Sequence, residues 1–150
     1  VGSEMCIRDS LVYDVRDVSK ELEVIKGEQV DLETLLKNSD IISLHVPLTP
    51  QTYHMLNDDR LSMVRDGAII VNTSRGEIID SKALLKHIDR LGAVALDVLE
   101  EEPPRSPHIA ELVKHPKVIV TPHIGAETTD AMDRIADEIV DNILEAVKWR

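Results

Sequence analysis

Five short apolar runs punctuate the chain from Leu11 onward: Leu11–Tyr13, Ile41–Val46, Ala68–Val71, Ala93–Leu96 and Val118–Val120. Each has the length of a strand. Each is also nearly continuous in Ile, Val, Leu and Ala, the pattern of strands buried on both faces of a parallel sheet. Helical periods separate them. Leu32, Leu35 and Leu36 follow Asp31, a good N-cap, and Ala83, Leu84, Leu85 and Ile88 follow Asp80, with Gly92 placed to end that helix. A short helix is expected after Asn57, stopping near Gly67. A long one is expected from Thr128 to Lys148, where Ala131, Ile135, Ala136, Ile139, Val140, Ile143, Leu144 and Val147 recur at helical spacing. Strands alternating with helices through right-handed crossovers predict an α/β fold, a doubly wound parallel sheet that binds its ligands at the carboxyl ends of the strands. Glu100–Pro107 reads as a flexible stretch. Val1–Ser10 fits neither period and is expected to be a disordered or foreign leader.

The polar residues after these runs carry the chemistry. Asp14 follows the first, His45 and Pro47 lie at the second, Asn72–Gly76 follow the third, Asp97 follows the fourth and Thr121–Gly125 follow the fifth. Turns after strands favour Asp, Asn, Ser, Gly and Pro on conformational grounds alone, so each taken singly has a plain explanation. Together they fall on one edge of the predicted sheet, with an Arg and a His among them, and describe a site with a cofactor side and a chemical side.

Composition narrows the partners. Of 150 residues, 17 are Lys or Arg and 28 are Asp or Glu, a formal net charge of −11 that repels phosphate backbones and anionic lipid heads. Neither nucleic acid nor a membrane surface is an expected partner. Cys6 is the single cysteine, so no intramolecular disulfide and no cysteine-built zinc site can form; a reducing, cytoplasmic setting is expected. There is no apolar run of bilayer-spanning length, and the N-terminus lacks the basic start and apolar core of a secretory signal. His54, His87, His108 and His115 form no convincing metal set and are read as surface or structural residues.

Four segments, "HVPLTPQTYHML" from His45, "GAIIVNTSRGEIID" from Gly67, "ALDVLEEEPP" from Ala95 and "VIVTPHIGAET" from Val118, resemble in order and spacing the NAD-binding domain of the D-isomer-specific 2-hydroxyacid dehydrogenases. The resemblance runs from Leu11 to Lys148. It implies a Rossmann-type domain, NAD as cofactor, hydride transfer between NAD(H) and a 2-keto acid/D-2-hydroxy acid pair, and a homodimer in the full-length protein. Reducing a 2-keto acid requires a cation for the carboxylate and an acid for the developing alkoxide. Arg75 offers a planar fork that grips a carboxylate with two parallel hydrogen bonds, although a helix-edge salt bridge is its plain alternative. His123 can give a proton to the carbonyl oxygen and take it back in oxidation. Glu102 is singled out from the acidic run Glu100–Glu102, otherwise a solvated patch, by the family's spacing from Asp97 to Pro103. As partner of His123 it would raise the imidazole pKa and set its tautomer.

On the cofactor side, Asp14 resembles the acid that bonds the adenine-ribose hydroxyls, and a carboxylate there disfavours the 2′-phosphate of NADP. The resemblance further implies that His45, Val46 and Pro47 border the adenine, that Thr52 and Thr73 lie near the cofactor, that Asp97 contacts the nicotinamide amide, and that Gly125 and Ala126 let backbone approach the ring.

The chain departs from the family at its start. No Gly-X-Gly-X-X-Gly turn is present, and Gly2 is the single glycine before Gly27. The Leu11 strand therefore corresponds to the family's second strand. Residues 11–150 are expected to be a partial NAD-binding domain, with the first strand, its phosphate loop and nearly all of the substrate domain absent. The missing strand is expected between those beginning at Leu11 and Ala68. The link from Lys86 to Asp97 is also shorter than the resemblance implies, which puts the start of the Ala93 run in question. The competing function is a noncatalytic NAD-binding or protein-interaction module, which needs cofactor contacts but no acid paired with a carboxylate anchor. A hydrolase using Ser74 or Ser106 is a distant third, since neither lies in a nucleophile elbow.

Overall fold

The structure, a computed structural model, describes residues 10–125 and 127–148. Its strands are β1 (Leu11–Val12), β2 (Glu28–Gln29), β3 (Ile41–Leu44), β4 (Ile69–Asn72), β5 (Ala93–Leu96) and β6 (Val118–Val120). The helices are α1 (Ser19–Leu22), α2 (Leu32–Asn38), α3 (Asp58–Met63), α4 (Ser81–His87), α5 (Pro107–Lys114) and α6 (Thr129–Lys148). All pairings between the strands are parallel, as the α/β reading requires. They form two sheets: a pair β1-β2, and a four-stranded sheet in the order β3-β4-β5-β6. The expected leader lies outside the described residues except for Ser10, whose carbonyl accepts from Glu28 N–H at 2.8 Å.

The caps act where the sequence places them. Asp31 accepts from Thr34 N–H at 2.8 Å, Asn57 from Arg60 N–H at 3.0 Å, and Asp80 from both Lys82 N–H and Ala83 N–H. Each side chain satisfies amide donors that the first helical turn leaves without partners. Gly92 has a different task from the one expected. Helix α4 gives way to a 3₁₀ turn at Ile88–Arg90, and a Cβ on Gly92 would lie 2.3 Å from the carbonyl oxygen of Gly67. Gly92 is where two backbones pass, and the tight turn lets β5 begin at Ala93 despite the short link.

Burial alternates along the sheet, contrary to the two-sided burial expected. Ile42, Leu44, Ile70, Val94 and Leu96 join Leu36 of α2, Leu61 of α3, Leu84 of α4 and Leu112 of α5 in one core. The opposite face carries, in register, Ile41, Ile69 and Ala93, then Ser43, Val71, Ala95 and Ile119. Ile41 is 64% exposed and Ile119 65%. Helices α2 to α5 all supply the same face; on the other, Val71, Ala93 and Ala95 are half-buried and the isoleucines are exposed. Helix α6 has the expected stripe but does not bury it: Ile135, Ile139, Val140, Ile143, Leu144 and Val147 are all exposed.

Both sides of β4 are paired, although the sequence reading expects a missing strand beside it. Strand β4 has β3 on one side and β5 on the other; β3 is the outer strand. The elements missed, α1, β2 and α5, are short or begin inside the stretch read as flexible. Helix α5 starts at Pro107 itself, where a proline suits the first helical turn. Among the described residues, no helix is long and apolar enough to cross a membrane.

Candidate active site

The carboxyl ends of β4, β5 and β6 lie side by side, and two buried polar residues, Asn72 and Asp97, hold the turns after β4 and β6. After β4 the residue is Asn72, fully buried. Its Nδ2 donates to the Arg75 carbonyl at 2.8 Å, and its Oδ1 accepts from the Ser74 amide at 3.1 Å and the Ser74 hydroxyl at 3.0 Å. A buried amide with its donors and acceptors used fixes a loop well, because losing any one bond strands a polar group. The turn presents Arg75, whose Nη1 donates to the Ser74 carbonyl at 2.7 Å. Gly76 follows, buried, and a Cβ there would lie 2.0 Å from the Leu99 carbonyl carbon. The backbone after β4 thus rests directly on the backbone after β5.

After β5 the residue is Asp97, 8% exposed. Its Oδ1 accepts from the Thr121 hydroxyl and, at 3.1 Å, from Ile124 N–H; its Oδ2 accepts from Gly125 N–H at 2.9 Å. The Thr121 bond, followed by the Gly125 and Ile124 amides, outweighs burial and holds this carboxyl below the ordinary carboxylate range. The acid staples the turn after β6, where His123 sits at φ 55°. A non-glycine residue in that left-handed region is strained by roughly 1 to 2 kcal/mol, so the turn needs such a clamp. Gly125 must remain small: a Cβ would meet Asp97 Oδ2 at 2.9 Å.

The clamp brings His123 to Glu102, with Nδ1 2.8 Å from Oε2. Glu102 Oε1 accepts from Leu99 N–H, also at 2.8 Å. The bond from Glu102, then its charge, raises the His123 pKa, while the nearby Arg75 charge works against the rise. Burial opposes ionisation of Glu102, but the His123 and Leu99 bonds together prevail and its pKa is lowered. With Nδ1 committed to the carboxylate, Nε2 is the nitrogen left for exchanging a proton with a ligand. The pair is open to solvent, His123 at 52% side-chain exposure.

Glu100 and Glu101 are not a solvated patch. Glu100 accepts from Ser81 N–H and meets His54 Nε2, both at 2.9 Å, and Glu101 accepts from Ser106 N–H at 2.8 Å. Nothing in the charge pattern separates three such acids; their different partners come from the path of the loop.

Several of the residues expected near the cofactor meet in a cleft of about 510 Å³, lined by His45, Val46, Pro47, Leu48, Thr73, Ser74 and Arg75. His45 Nε2 lies 2.7 Å from the Ser43 hydroxyl. Thr52 does not line this cleft; its hydroxyl donates to the Pro47 carbonyl at 2.6 Å and shapes the loop that does. Asp14 follows β1, and its Oδ1 accepts from the Arg16 amide at 2.8 Å and meets Arg16 Nε at 3.4 Å. These bonds, the amide first, lower its pKa. Ala126 lies outside the described residues. Leu48 and Ser74 line the cleft without having been expected there. Asn72 and Gly76 build the turn, and the one sequence signal for them was a small or amide residue on either side of Arg75.

The sequence model of the family described as "D-isomer specific 2-hydroxyacid dehydrogenase, NAD binding domain" matches residues 7–125. The hydroxypyruvate reductase of Thermotoga maritima is 43% identical over 137 residues, which are 90% of this chain and 44% of that one. The glyoxylate reductase of Thermococcus litoralis is 44% identical over 141 residues, 92% of this chain and 42% of its own. Among solved structures, the D-lactate dehydrogenase of Aquifex aeolicus complexed with NAD and lactic acid superposes with a TM-score of 0.80 at 35% identity, covering 92% of this chain and 46% of that one. The chain spans less than half the length of these relatives. It belongs to the D-isomer specific 2-hydroxyacid dehydrogenases, in their NAD binding domain.

Proposed function

We propose that residues 11–150 are part of the NAD-binding domain of a longer, homodimeric cytoplasmic enzyme, one that reduces a small 2-keto acid to its D-2-hydroxy acid and runs in reverse. The observation that carries this reading is the Glu102–His123 pair, held at the same strand edge as Arg75. The relatives' names, hydroxypyruvate reductase and glyoxylate reductase, suggest the substrate class. An in-frame glycine-rich loop in the genomic DNA upstream of the Leu11 codon is the expected sign of the longer protein. Keto-acid-dependent oxidation of NADH by that protein tests the activity; its absence with NADH binding intact returns the noncatalytic module.

The residues suit the cofactor. The 510 Å³ cleft has an apolar wall at Val46, Pro47 and Leu48 and a polar one at Thr73 and Ser74, and Asp14 supplies a carboxylate for ribose hydroxyls. NADH, when bound, supplies the hydride to the carbonyl carbon. Arg75 holds the substrate carboxylate and orients the carbonyl. His123, protonated, gives the Nε2 proton to the carbonyl oxygen as charge develops there. Glu102 keeps the imidazole in one tautomer and stabilises its cationic form.

Replacing Arg75 by Lys raises KM and lowers kcat together, with kcat/KM falling roughly 10-fold or more, because an ammonium cannot reproduce two bonds in one plane. Unchanged steady-state constants would leave Arg75 as a turn residue only. The pH profile follows from the pair. Reduction needs the imidazolium, so its rate holds below the His123 pKa and falls as pH rises through it; oxidation needs the neutral ring and behaves oppositely. Glu102→Gln removes the main cause of the raised pKa, so both limbs move to lower pH. At the cofactor end, Asp14→Asn removes a charge that repels a 2′-phosphate and frees Arg16 to meet one. The NAD-to-NADP preference, measured by kcat/KM for each, is expected to drop roughly tenfold.

A further inference from the structure

The segment from Asp97 to Ser106 contains no helix or strand, yet it must hold the Glu102 carboxylate within hydrogen-bond distance of His123. The bond from Leu99 N–H to Glu102 lies inside the loop and moves with it. So does the bond from Ser106 N–H to Glu101. Asp97 ties down one end. Between Asp97 and Ser106, Glu100 is the acid besides Glu102 whose side chain bonds distant parts of the chain.

The geometry points to Glu100 as a positioning residue: with His54 and Ser81 it anchors the loop so that Glu102 meets His123. This rests on the acid–base role proposed above for His123. Glu100 and Glu102 alternate along the loop and bond different partners. Glu102 faces His123 and Leu99. Glu100 bonds the His54 ring at 2.9 Å with Oε1 and the Ser81 amide at 2.9 Å with Oε2. Its side chain is 22% exposed, and a carboxylate this sheltered stays ionised only if it is bonded. The bonds to the Ser81 amide and hydroxyl, then to His54, overcome the burial and keep its pKa low.

His54 is built for the grip. Its backbone sits at φ 47°, a strained conformation for a residue with a side chain. Its amide donates to the Glu77 carbonyl at 2.8 Å, and its ring stacks on Tyr53 with centroids 4.0 Å apart. The other ring nitrogen, Nδ1, lies 3.8 Å from Asp80. The ring is thereby oriented from both sides toward Glu100. Beneath the same peptide, Gly76 lets the loop sit on the backbone after β4, so a slip at Glu100 moves Glu102 relative to Arg75 as well.

The experiment compares Glu100→Ala with Glu100→Gln in the full-length protein, following the His123 Cε1 resonance by NMR against pH, with kcat and KM measured alongside. Alanine removes both charge and anchor. Glutamine removes the charge but keeps an oxygen that can accept from Ser81 N–H and an amide group facing the His54 ring. The expected result is a downward shift of the His123 pKa and a kcat lower by roughly 10- to 100-fold in the alanine variant. Its KM is expected to stay near the wild-type value, because Arg75 is untouched. The glutamine variant is expected to restore both pKa and kcat. Equal shifts in the two variants would make Glu100 a source of field and not of position, and no shift in either would leave it a structural bond; both outcomes overturn the proposal. Should Glu100→Ala not fold, His54→Ala against His54→Gln poses the same comparison. The titration reads the Glu102–His123 contact without turnover, so an inactive wild-type protein would count against the proposed activity and leave this question answered separately.

Discussion

Replacing His123 with alanine in the full-length protein is expected to lower turnover of a 2-keto acid roughly 100- to 10,000-fold, the usual worth of a positioned general acid. The size of the loss follows from the site. In the proposed reaction the alkoxide formed by hydride addition needs a proton as it develops, and the His123 imidazole, its pKa raised by Glu102, is the donor proposed to give it. Alanine leaves Asp97, Ile124 and Gly125 bonded as before, because those bonds use backbone amides of the turn. It also releases the strain at φ 55° only in part, since alanine is still a residue with a Cβ. NADH affinity, read by fluorescence titration, is therefore expected to stay nearly unchanged while kcat and kcat/KM fall together, the signature of an interaction made in the transition state. Near-normal turnover would remove His123 from its role.

Expressed by itself, the 150-residue chain is expected to bind NADH very weakly, to show no dehydrogenase activity, and to unfold over a broad range of temperature. The reason lies in the uncovered apolar surfaces. Ile41, Ile69 and Ile119 stand on the open face of the sheet, and six large apolar residues of α6 are more than 40% exposed, from Ile135 to Val147. Full burial of such a side chain contributes roughly 1.5 to 3 kcal/mol. The burial left unrealised is on the order of 10 kcal/mol, comparable to the whole stability of a typical domain. Strand β3 adds an outer edge with unpaired amides and carbonyls, which invites association between copies. Differential scanning calorimetry and light scattering are the measurements. A sharp cooperative transition of a monomer, with micromolar affinity for NADH, would show that the chain covers these surfaces itself.

The sequence was most readable where one local cause decides the outcome. Asp31, Asn57 and Asp80 cap helices because their side chains bond amides two or three residues on, and no distant part of the chain can alter that. The runs at Ala93 and Val118 became strands with the bounds their composition suggested. Pairing between distant segments was less readable. A continuous apolar run states that both faces of a strand suit an apolar environment; it does not state that both are covered, and Ile41 and Ile119 show the difference. The pairing of β3 with β4 was not legible, because strand order is set by crossovers and not by any residue of the strand. Among the candidate site residues, Arg75 and His123 stood out by type and by the turns around them, and Glu102 only through the family resemblance. The partners of Glu100, the close passage at Gly76 and the bonds that tie Asp97 to the turn after β6 arise from loops meeting after folding, and no local pattern announces them.

The turns bearing Arg75, Glu102 and His123 leave three consecutive rungs of one hydrogen-bonded ladder, β4, β5 and β6. Adjacent strands in such a ladder cannot slide or tilt independently without breaking several backbone bonds at once. The anchor, the carboxylate and the imidazole accordingly form one mechanical block, further riveted by Asp97 across the last gap and by the backbone passage at Gly76 across the first. Any closure that shuts water out of the site must then be a movement of other parts of the protein against this block, with the pivot outside the three strands. In the proposed enzyme, substrate would enter an assembled tool: opening and closing would set how often the tool is used and leave its shape the same.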